Sequence, residues 1–421
     1  MNAISLFSSS GIGDLGLRAN GIKTIIANEF VPERARLFQN NYPEAKMYNG
    51  DIWKCKDEII EYYRENYNEE LFLVLATPPC QGMSSNGMGK MLSDYRKGLR
   101  PQFDERNRLI LPTLDVIIAL KPKWVMFENV PNMQNTLIYN ESGELVNIID
   151  YIFQRLGDEY VGRAEVIDVA DYGVPQNRKR LITILTRTEE GKEYFERHGS
   201  FIPAPTHSRE ATILTKPWIT VRDAISHIPP IDGRKGKNYD YGVHPLHKVP
   251  PLDDKKYTWV ENTPEGETAF NNQCINPSCM YQGNRRHGST KIDGINQANN
   301  GTPLYCERCG ALLPRPYTED KDGSIRIMKG FVSAYKRMRW DEPASTLTQN
   351  FQFACSDNKI HPDQNRVLSI YEALVLQSIA SYPFSFEING KMVSDGLIRD
   401  TIGESVPPKA IDAIINHIIH I

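Results

Sequence analysis

Cys80 follows two prolines, Pro78 and Pro79, at the end of the apolar run Leu71–Thr77. Seven mostly apolar residues of this kind read as a strand buried on both faces, as in a parallel sheet. Open α/β sheets place their ligands at the carboxyl ends of such strands. A thiol presented there is a candidate nucleophile. A structural core cysteine is the competing reading, but the double proline, Gln81 and the Gly/Ser-rich loop through Asn86 favour the nucleophile. Glu128 ends a second apolar strand that begins at Trp124. A carboxyl group beside a ring nitrogen can protonate it or hydrogen-bond to it while a thiolate attacks; a strand-end helix cap is the alternative. Arg178 and Arg180, two residues apart in Gln176-Asn177-Arg178-Lys179-Arg180, point to one side if that stretch is extended. Two guanidiniums near a thiol would lower its pKa and hold an anion or a base carbonyl.

Three further positions suit a nucleotide-like ligand. The turn from Phe7 to Asp14, with Ser10, Gly11 and Gly13, follows a strand and opens a helix, and its glycines allow close approach to the backbone. Glu29 ends the next strand and suits a ribose diol; Asp51 follows the third and suits an adenine amine. Spacing alone does not separate a dinucleotide from S-adenosylmethionine. Four cysteines form a different pattern, Cys274-x4-Cys279, then 26 residues, then Cys306-x2-Cys309 followed by Gly310. Two such knuckles predict a four-thiolate structural zinc site. It would staple a polar stretch that includes Arg285, Arg286 and His287, within reach of phosphate or a guanine edge.

The elements that carry these residues alternate between strand and helix. Strands are expected at Ala3–Ser8, Thr24–Phe30, near Met47, at Leu71–Thr77, Trp124–Phe127, Glu165–Val169 and Leu181–Leu185. Helices are expected after the first turn, from Pro32 to Asn41, from Glu105 to Leu120 and from Glu144 to Leu156. This order predicts an α/β fold with a doubly wound, mostly parallel sheet. After about Arg187 the chain becomes rich in Pro, Gly, Asn and His, which predicts a second, irregular, mainly β domain. Helical periodicity returns at Ser369–Ile379 and again from Pro408, after a turn at Gly403.

With 421 residues, 40% hydrophobic and 24% charged, the composition is that of a globular protein of one large or two ordinary domains. Met1 leads directly into a strand-like run, so neither a signal peptide nor a membrane span is expected, and a reduced, cytoplasmic setting suits seven cysteines. The net charge of −3 carries no global nucleic-acid signal, but Arg187–Lys359 holds 24 basic against 21 acidic residues. The run Ser324–Arg339 has Arg326, Lys329, Lys336, Arg337 and Arg339 and no acid, a pointer to phosphate contacts.

Together these motifs resemble those of the DNA cytosine-5-methyltransferases, in family order over nearly the whole chain. Phe7–Gly13 resembles the cofactor-binding motif, Pro78-Pro79-Cys80-Gln81 the nucleophile motif and Glu128-Asn129-Val130 the ENV motif. Gln176-x-Arg178-x-Arg180 is similar to the QxRxR motif, Glu342-Pro343 to Leu347-Thr348 to the segment supporting the recognition domain, and Gly403–Pro408 to the last motif. Met83 stands where the family usually has Phe, and Glu404 where it usually has Asn. The resemblance implies a class I methyltransferase catalytic domain over 1–187, completed by 403–421, a target-recognition domain over 188–345, and a connecting segment over 346–402. It implies that S-adenosylmethionine is bound by Phe7, Ser10, Gly11, Gly13, Glu29, Phe30, Asp51, Ile52, Pro78, Glu404, Ser405 and Val406. It further implies catalysis by Cys80, Glu128, Arg178 and Arg180 on a cytosine flipped out of double-stranded DNA, and DNA contacts by Gln81, Ser84, Arg285, Arg286, Arg337 and Arg339. A monomer of bacterial or phage origin, with or without a cognate restriction endonuclease, is expected. An RNA cytosine methyltransferase and a catalytically inactive DNA-binding protein are the alternatives.

Overall fold

A computed structural model of the chain describes residues 1–79, 104–292, 295–298, 301–328 and 332–421. Cys80, Gln81 and Ser84 lie outside the described residues. The first half alternates β1 (Asn2–Leu6), α1 (Asp14–Ala19), β2 (Lys23–Glu29), α2 (Pro32–Asn41), β3 (Lys46–Asn49), α3 (Ile52–Asn66) and β4 (Leu73–Ala76). It continues with α4 (Ile110–Leu120), β5 (Trp124–Asn129), the hairpin β6 (Leu137–Tyr139) and β7 (Leu145–Asn147), α5 (Ile148–Leu156) and β8 (Val161–Asp168). The two-residue β9 (Gln176–Asn177) and β10 (Lys179–Thr186) follow.

Seven strands form one sheet in the order β3-β2-β1-β4-β5-β10-β8. The neighbours from β3 to β5 are parallel, and β10 runs antiparallel to both β5 and β8. The sheet is therefore mixed, with one reversed strand. One face packs on α3, α4 and α5 through residues such as Ile59, Leu114 and Ile152; the other packs on α1 and the last helix through Leu17, Ile411 and Ile414. That last helix, α11 (Pro408–Ile418), buries Ile411, Ile414, Ile415 and Ile418 on one stripe, each stabilising its return by about 1.5–3 kcal/mol. Gly16 lets it dock, since a Cβ there would stand 2.7 Å from Asp412 N and 2.8 Å from Ile411.

Two local expectations differ from the structure, and one helix is unexpected. The unassigned residues after Asp51 form helix α3, begun by the Asp51 side chain accepting from Trp53 N at 3.1 Å and burying Ile52, Ile59 and Tyr63. Residues from Glu144 form the second arm of a hairpin, and α5 starts only at Ile148, where Asn147 caps it. Gly403 and Glu404 close a helix rather than forming a turn.

Beyond β10 come α6 (Glu189–His198), the pair β11 (His207–Ser208) and β12 (Lys216–Pro217), α7 (Val221–Ile225) and α8 (Asp254–Glu261). The pairs β13 (Ser289–Ile292) with β14 (Ile295–Ala298), and β15 (Tyr317–Glu319) with β16 (Ile325–Ile327), follow. Then come β17 (Ala344–Ser345), α9 (Ile370–Leu376), the pair β18 (Glu387–Ile388) and β19 (Lys391–Met392), and α10 (Asp395–Glu404). Among the described residues this region is irregular but not mainly β: its strands are two to four residues long and helices contribute at least as much. Its apolar clusters run across residue 345, joining Val221 and Ile225 to Leu368 and Ile402, and Phe270 and Tyr335 to Ile360.

Candidate active site and metal centre

The turn after β1 is forced into an unusual path. Phe7, Ser9 and Gly11 have φ of +59°, +48° and +87°, a region L-residues rarely enter. At Gly11 a side chain would also strike Tyr42, whose ring lies 2.4 Å from the ideal Cβ position, and Tyr42 Oη donates to Gly11 O at 2.7 Å. Glu29 anchors the turn: its two carboxylate oxygens accept from Ser9 N at 2.9 Å and Val31 N at 2.7 Å, leaving lone pairs for a diol. The hydroxyls of Ser9 and Ser10 are buried without a hydrogen-bond partner among the described residues. Phe30, beside them, is 70% exposed, while Ile52 is buried and Asp51 has a half-exposed carboxylate at the α3 N-terminus. Backbone space, unpartnered hydroxyls and an uncovered aromatic ring together fit an adenosyl ligand. Gly13, the first residue before α1, has open space around its Cβ position.

Side-chain bonds lock the ends of β1, β4 and β5 together. Thr77 Oγ1 donates to Phe7 O (2.9 Å), and Asn129 Nδ2 donates to Pro78 O (3.0 Å). Thr77 and Pro78 are thus held against the Phe7 turn on one side and against the end of β5 at Asn129 on the other. Glu128 is buried, and Arg180 Nε lies 2.7 Å from its Oε1. Burial pushes the Glu128 carboxyl above the usual carboxylate range, with the Arg180 and Arg178 guanidiniums opposing the shift. A carboxyl group so poised can carry a proton for a ring nitrogen.

Arg178 does not face the same way. It is 1% exposed and donates from Nη1 to Leu347 O (2.6 Å) and from Nη2 to Gly403 O (2.9 Å). The expectation that it joins Arg180 in the cleft is corrected. Residues 176–177 pair with Ala344–Ser345, β10 starts at Lys179, and the alternation of a continuous strand is broken at Arg178. Gln176 is likewise turned inward: Gln377 Oε1 accepts from its Nε2 at 2.6 Å, and its own Oε1 accepts from Leu347 N at 2.8 Å.

On the α2 side Glu404 forms a two-pronged ion pair with Arg34, at 2.7 and 3.0 Å. Burial raises its pKa, and Arg34 opposes the rise. Ser405 is buried with its hydroxyl donated to Ile402 O and accepting from Gln377, and Val406 packs in the core beneath the sheet. Gln377, fully buried, thus binds both the QxRxR segment and the last motif. A glutamine ending a short apolar helix carries no sequence signal for that task.

The four cysteines converge. Sγ–Sγ separations are 3.7 Å for Cys274–Cys309 and 3.9 Å for Cys279–Cys306, and all four sulfurs lie within 4.8 Å of one another. Tetrahedral Zn–S bonds of about 2.3 Å require sulfurs about 3.8 Å apart, whereas a disulfide requires about 2.05 Å. Backbone N–H groups of Asn276 and Tyr281 face Cys274 and Cys279, and those of Arg308 and Cys309 face Cys306. Gly310, at φ +71°, closes the second knuckle.

Of the candidate DNA contacts, Arg285 and Arg286 are exposed, each paired with one carboxylate, Glu307 at 2.9 Å and Glu267 at 3.1 Å. His287 instead stacks on Phe270 and bonds Thr302. Arg339 is exposed beside Glu342. Arg337 is corrected: it is 3% exposed and donates to the carbonyls of Val260, Thr263, His361 and Gln364. A guanidinium so committed ties loops together and cannot reach phosphate.

Fold and site define an α/β protein with a doubly wound sheet and a cleft at the strand ends suited to a nucleotide-like ligand. The family model for C-5 cytosine-specific DNA methylase matches residues 1–420, and the chain belongs to that family. It is 30% identical over 99% of its length, and 98% of the relative's, to Type II methyltransferase M1.HgaI of Avibacterium volantium. It is 25% identical to Type II methyltransferase M1.HphI of Haemophilus parahaemolyticus, over 98% of this chain and 84% of that one. Among solved structures, a prophage-encoded DNA modification methyltransferase of E. coli shares the fold at TM-score 0.59 and 18% identity, covering 100% and 99% of the two chains. The chain is thus a DNA cytosine-5-methyltransferase whose expected cofactor is S-adenosylmethionine and whose substrate class is DNA. Among the described residues no helix is long and apolar enough to cross a membrane.

Proposed function

We propose that this chain methylates one cytosine within a specific duplex sequence, with Cys80 as nucleophile, Glu128 as the group engaging N3 and Arg180 holding the O2 side. The buried Glu128–Arg180 pair, 2.7 Å apart at the end of the strand next to the Pro78-Pro79 turn, carries the reading. The base is extruded because its ring carbons are inaccessible while stacked. The Cys80 thiolate forms a bond to carbon 6. Glu128 supplies a proton or hydrogen bond at N3 as that ring nitrogen gains electron density, and Arg180 keeps the carboxyl oriented. S-adenosylmethionine, held by the Phe7–Gly13 turn, Glu29, Phe30, Asp51, Ile52, Pro78 and the Glu404–Val406 segment, supplies the methyl group. Loss of the carbon 5 proton then expels Cys80 and restores the aromatic ring. Methyl transfer from labelled cofactor to duplex DNA tests the assignment: Cys80→Ser should abolish it while cofactor binding persists. DNA carrying 5-fluorocytosine should trap a denaturation-resistant adduct, because fluorine cannot leave as a proton. Turnover by the Ser variant, or transfer to RNA and not DNA, would reject it.

Sequence readout is assigned to residues 188–345, where Arg285, Arg286 and Arg339 are available for phosphate or base edges and Gln81 and Ser84 for the opened duplex. The four sulfurs are proposed to hold one structural zinc ion, closed to water by its four thiolates. Metal analysis of purified protein should give one zinc per chain, lost in Cys306→Ser. The relatives' Type II names support a place in a restriction–modification system, with the chain acting as a cytoplasmic monomer and a cognate endonuclease as a separate protein.

A further inference from the structure

Arg315 follows two residues after Leu313, which packs on Cys274 and Cys306, and is fully buried. Its Nε donates to Asn272 O at 2.8 Å, and its Nη1 to the carbonyls of Arg285 (2.9 Å) and Pro303 (2.8 Å). Asn272 stands two residues before the first knuckle and Pro303 three before the second, so one side chain ties down the start of both. Two other buried arginines are satisfied in full: Arg366 has the Glu372 carboxylate at 2.6 and 2.7 Å, and every guanidinium nitrogen of Arg337 donates to an oxygen. Arg315 differs. Its Nη2 is buried with no hydrogen-bond partner among the described residues. The carboxylate that acts on it, Glu307, is already paired with Arg285. A buried cation without a counter-charge is costly.

We infer that Arg315 is the charge partner of the cysteine-bound metal: a divalent ion with four thiolates carries a net charge of −2, part of which the buried guanidinium offsets while its N–H groups fix both knuckles and the backbone of Arg285. The inference rests on the zinc reading and specifies it further. The metal-loaded cluster would then supply a counter-charge for a buried guanidinium whose Nη2 has no hydrogen-bond partner among the described residues. Metal loading then also sets where Arg285 sits, because Arg315 holds its carbonyl. Arg315 is a positioning residue and not a ligand.

Competition between the zinc-loaded protein and a chromogenic chelator tests this. Removing a partner just outside the ligand set costs about 10–100-fold in metal affinity, and Arg315→Met should show a loss of that size. Arg315→Lys keeps the charge but not the three-carbonyl fork, and should recover about tenfold of the loss if charge is what matters. Equal losses in the Lys and Met variants would reduce Arg315 to a backbone tie and overturn the inference, as would a Met variant with wild-type affinity. If the Met variant does not fold, Glu307→Gln decides: unchanged zinc affinity supports the thiolates as the counter-charge, and a drop of about tenfold or more assigns that role to Glu307 and overturns it. A wild-type protein without zinc is a different failure, that of the metal reading itself.

Discussion

Replacing Arg178 by Met separates a structural arginine from a catalytic one. The substitution removes two buried donors and leaves the carbonyls of Leu347 and Gly403 without them. A buried carbonyl stripped of its partner costs about 1–3 kcal/mol, so the loss is about 2–6 kcal/mol, a large part of the about 5–15 kcal/mol that holds a typical domain folded. It falls where the QxRxR segment, the Leu347 segment and the end of α10 meet, next to the Glu404–Val406 wall. Urea unfolding followed by tryptophan fluorescence should show a lowered midpoint, and calorimetry a weakened affinity for S-adenosylhomocysteine. Arg180→Met is the contrasting variant: it leaves the buried Glu128 without its partner, so it also lowers the midpoint, but turnover should collapse while affinity for S-adenosylhomocysteine is kept. An Arg178→Met protein with the wild-type midpoint and intact cofactor affinity but no turnover would refute this reasoning and return Arg178 to the substrate.

Glu128→Gln should bind cofactor normally yet lose about 10²–10⁴ in single-turnover rate, since an amide cannot deliver a proton; a loss of less than tenfold would remove Glu128 from the chemistry. Gly11→Ala places a methyl group 2.4 Å from the Tyr42 ring at φ +87° and should weaken cofactor binding by about tenfold or more in calorimetry, consistent with about 1–3 kcal/mol of backbone strain. Glu404→Gln breaks a half-exposed pair with Arg34, so it should cost under about 1 kcal/mol of stability and shift cofactor affinity only a few-fold. Asp14 is buried and its pKa is raised from 3.8 to about 6 by burial, against hydrogen bonds from Thr24 and Ser5. Its contribution is therefore fully present below about pH 3.8 and is lost as pH rises through about 6. Unfolding free energy should fall by about 3 kcal/mol across that window relative to Asp14→Asn; parallel pH profiles of the two proteins would contradict it.

The strand ends were legible because each is a short apolar run stopped by a chemically distinctive residue. Glu29, Asp51, Pro78 and Glu128 all stand at the carboxyl edge of the sheet where that pattern predicts them. The four cysteines were legible for the same reason, since metal-ligand spacing is local. Helix α3 was obscured because Asp51 served as a ligand candidate at a strand end, while its capping of Trp53 N was the stronger local signal, followed by Ile52, Ile59 and Tyr63 on one face. The two arginines that turned inward show a different kind of limit. Arg178 reaches partners 169 and 225 residues away, and Arg337 closes loops 74 and 77 residues upstream. Nothing beside them in the chain announces those carbonyls. Spacing of two predicts a shared face only while a strand continues, and the β9–β10 break falls on Arg178 itself. A basic run predicts phosphate contacts only for side chains the fold leaves outside, and Arg337 is drawn in by unsatisfied loop carbonyls that charge counting cannot see. The QxRxR segment consequently divides its work: Arg180 turns to Glu128, while Gln176 and Arg178 hold the end of α10 and the Leu347 segment against the sheet. Arg178, two residues from Arg180, braces the Glu404–Val406 segment from behind through Gly403 O.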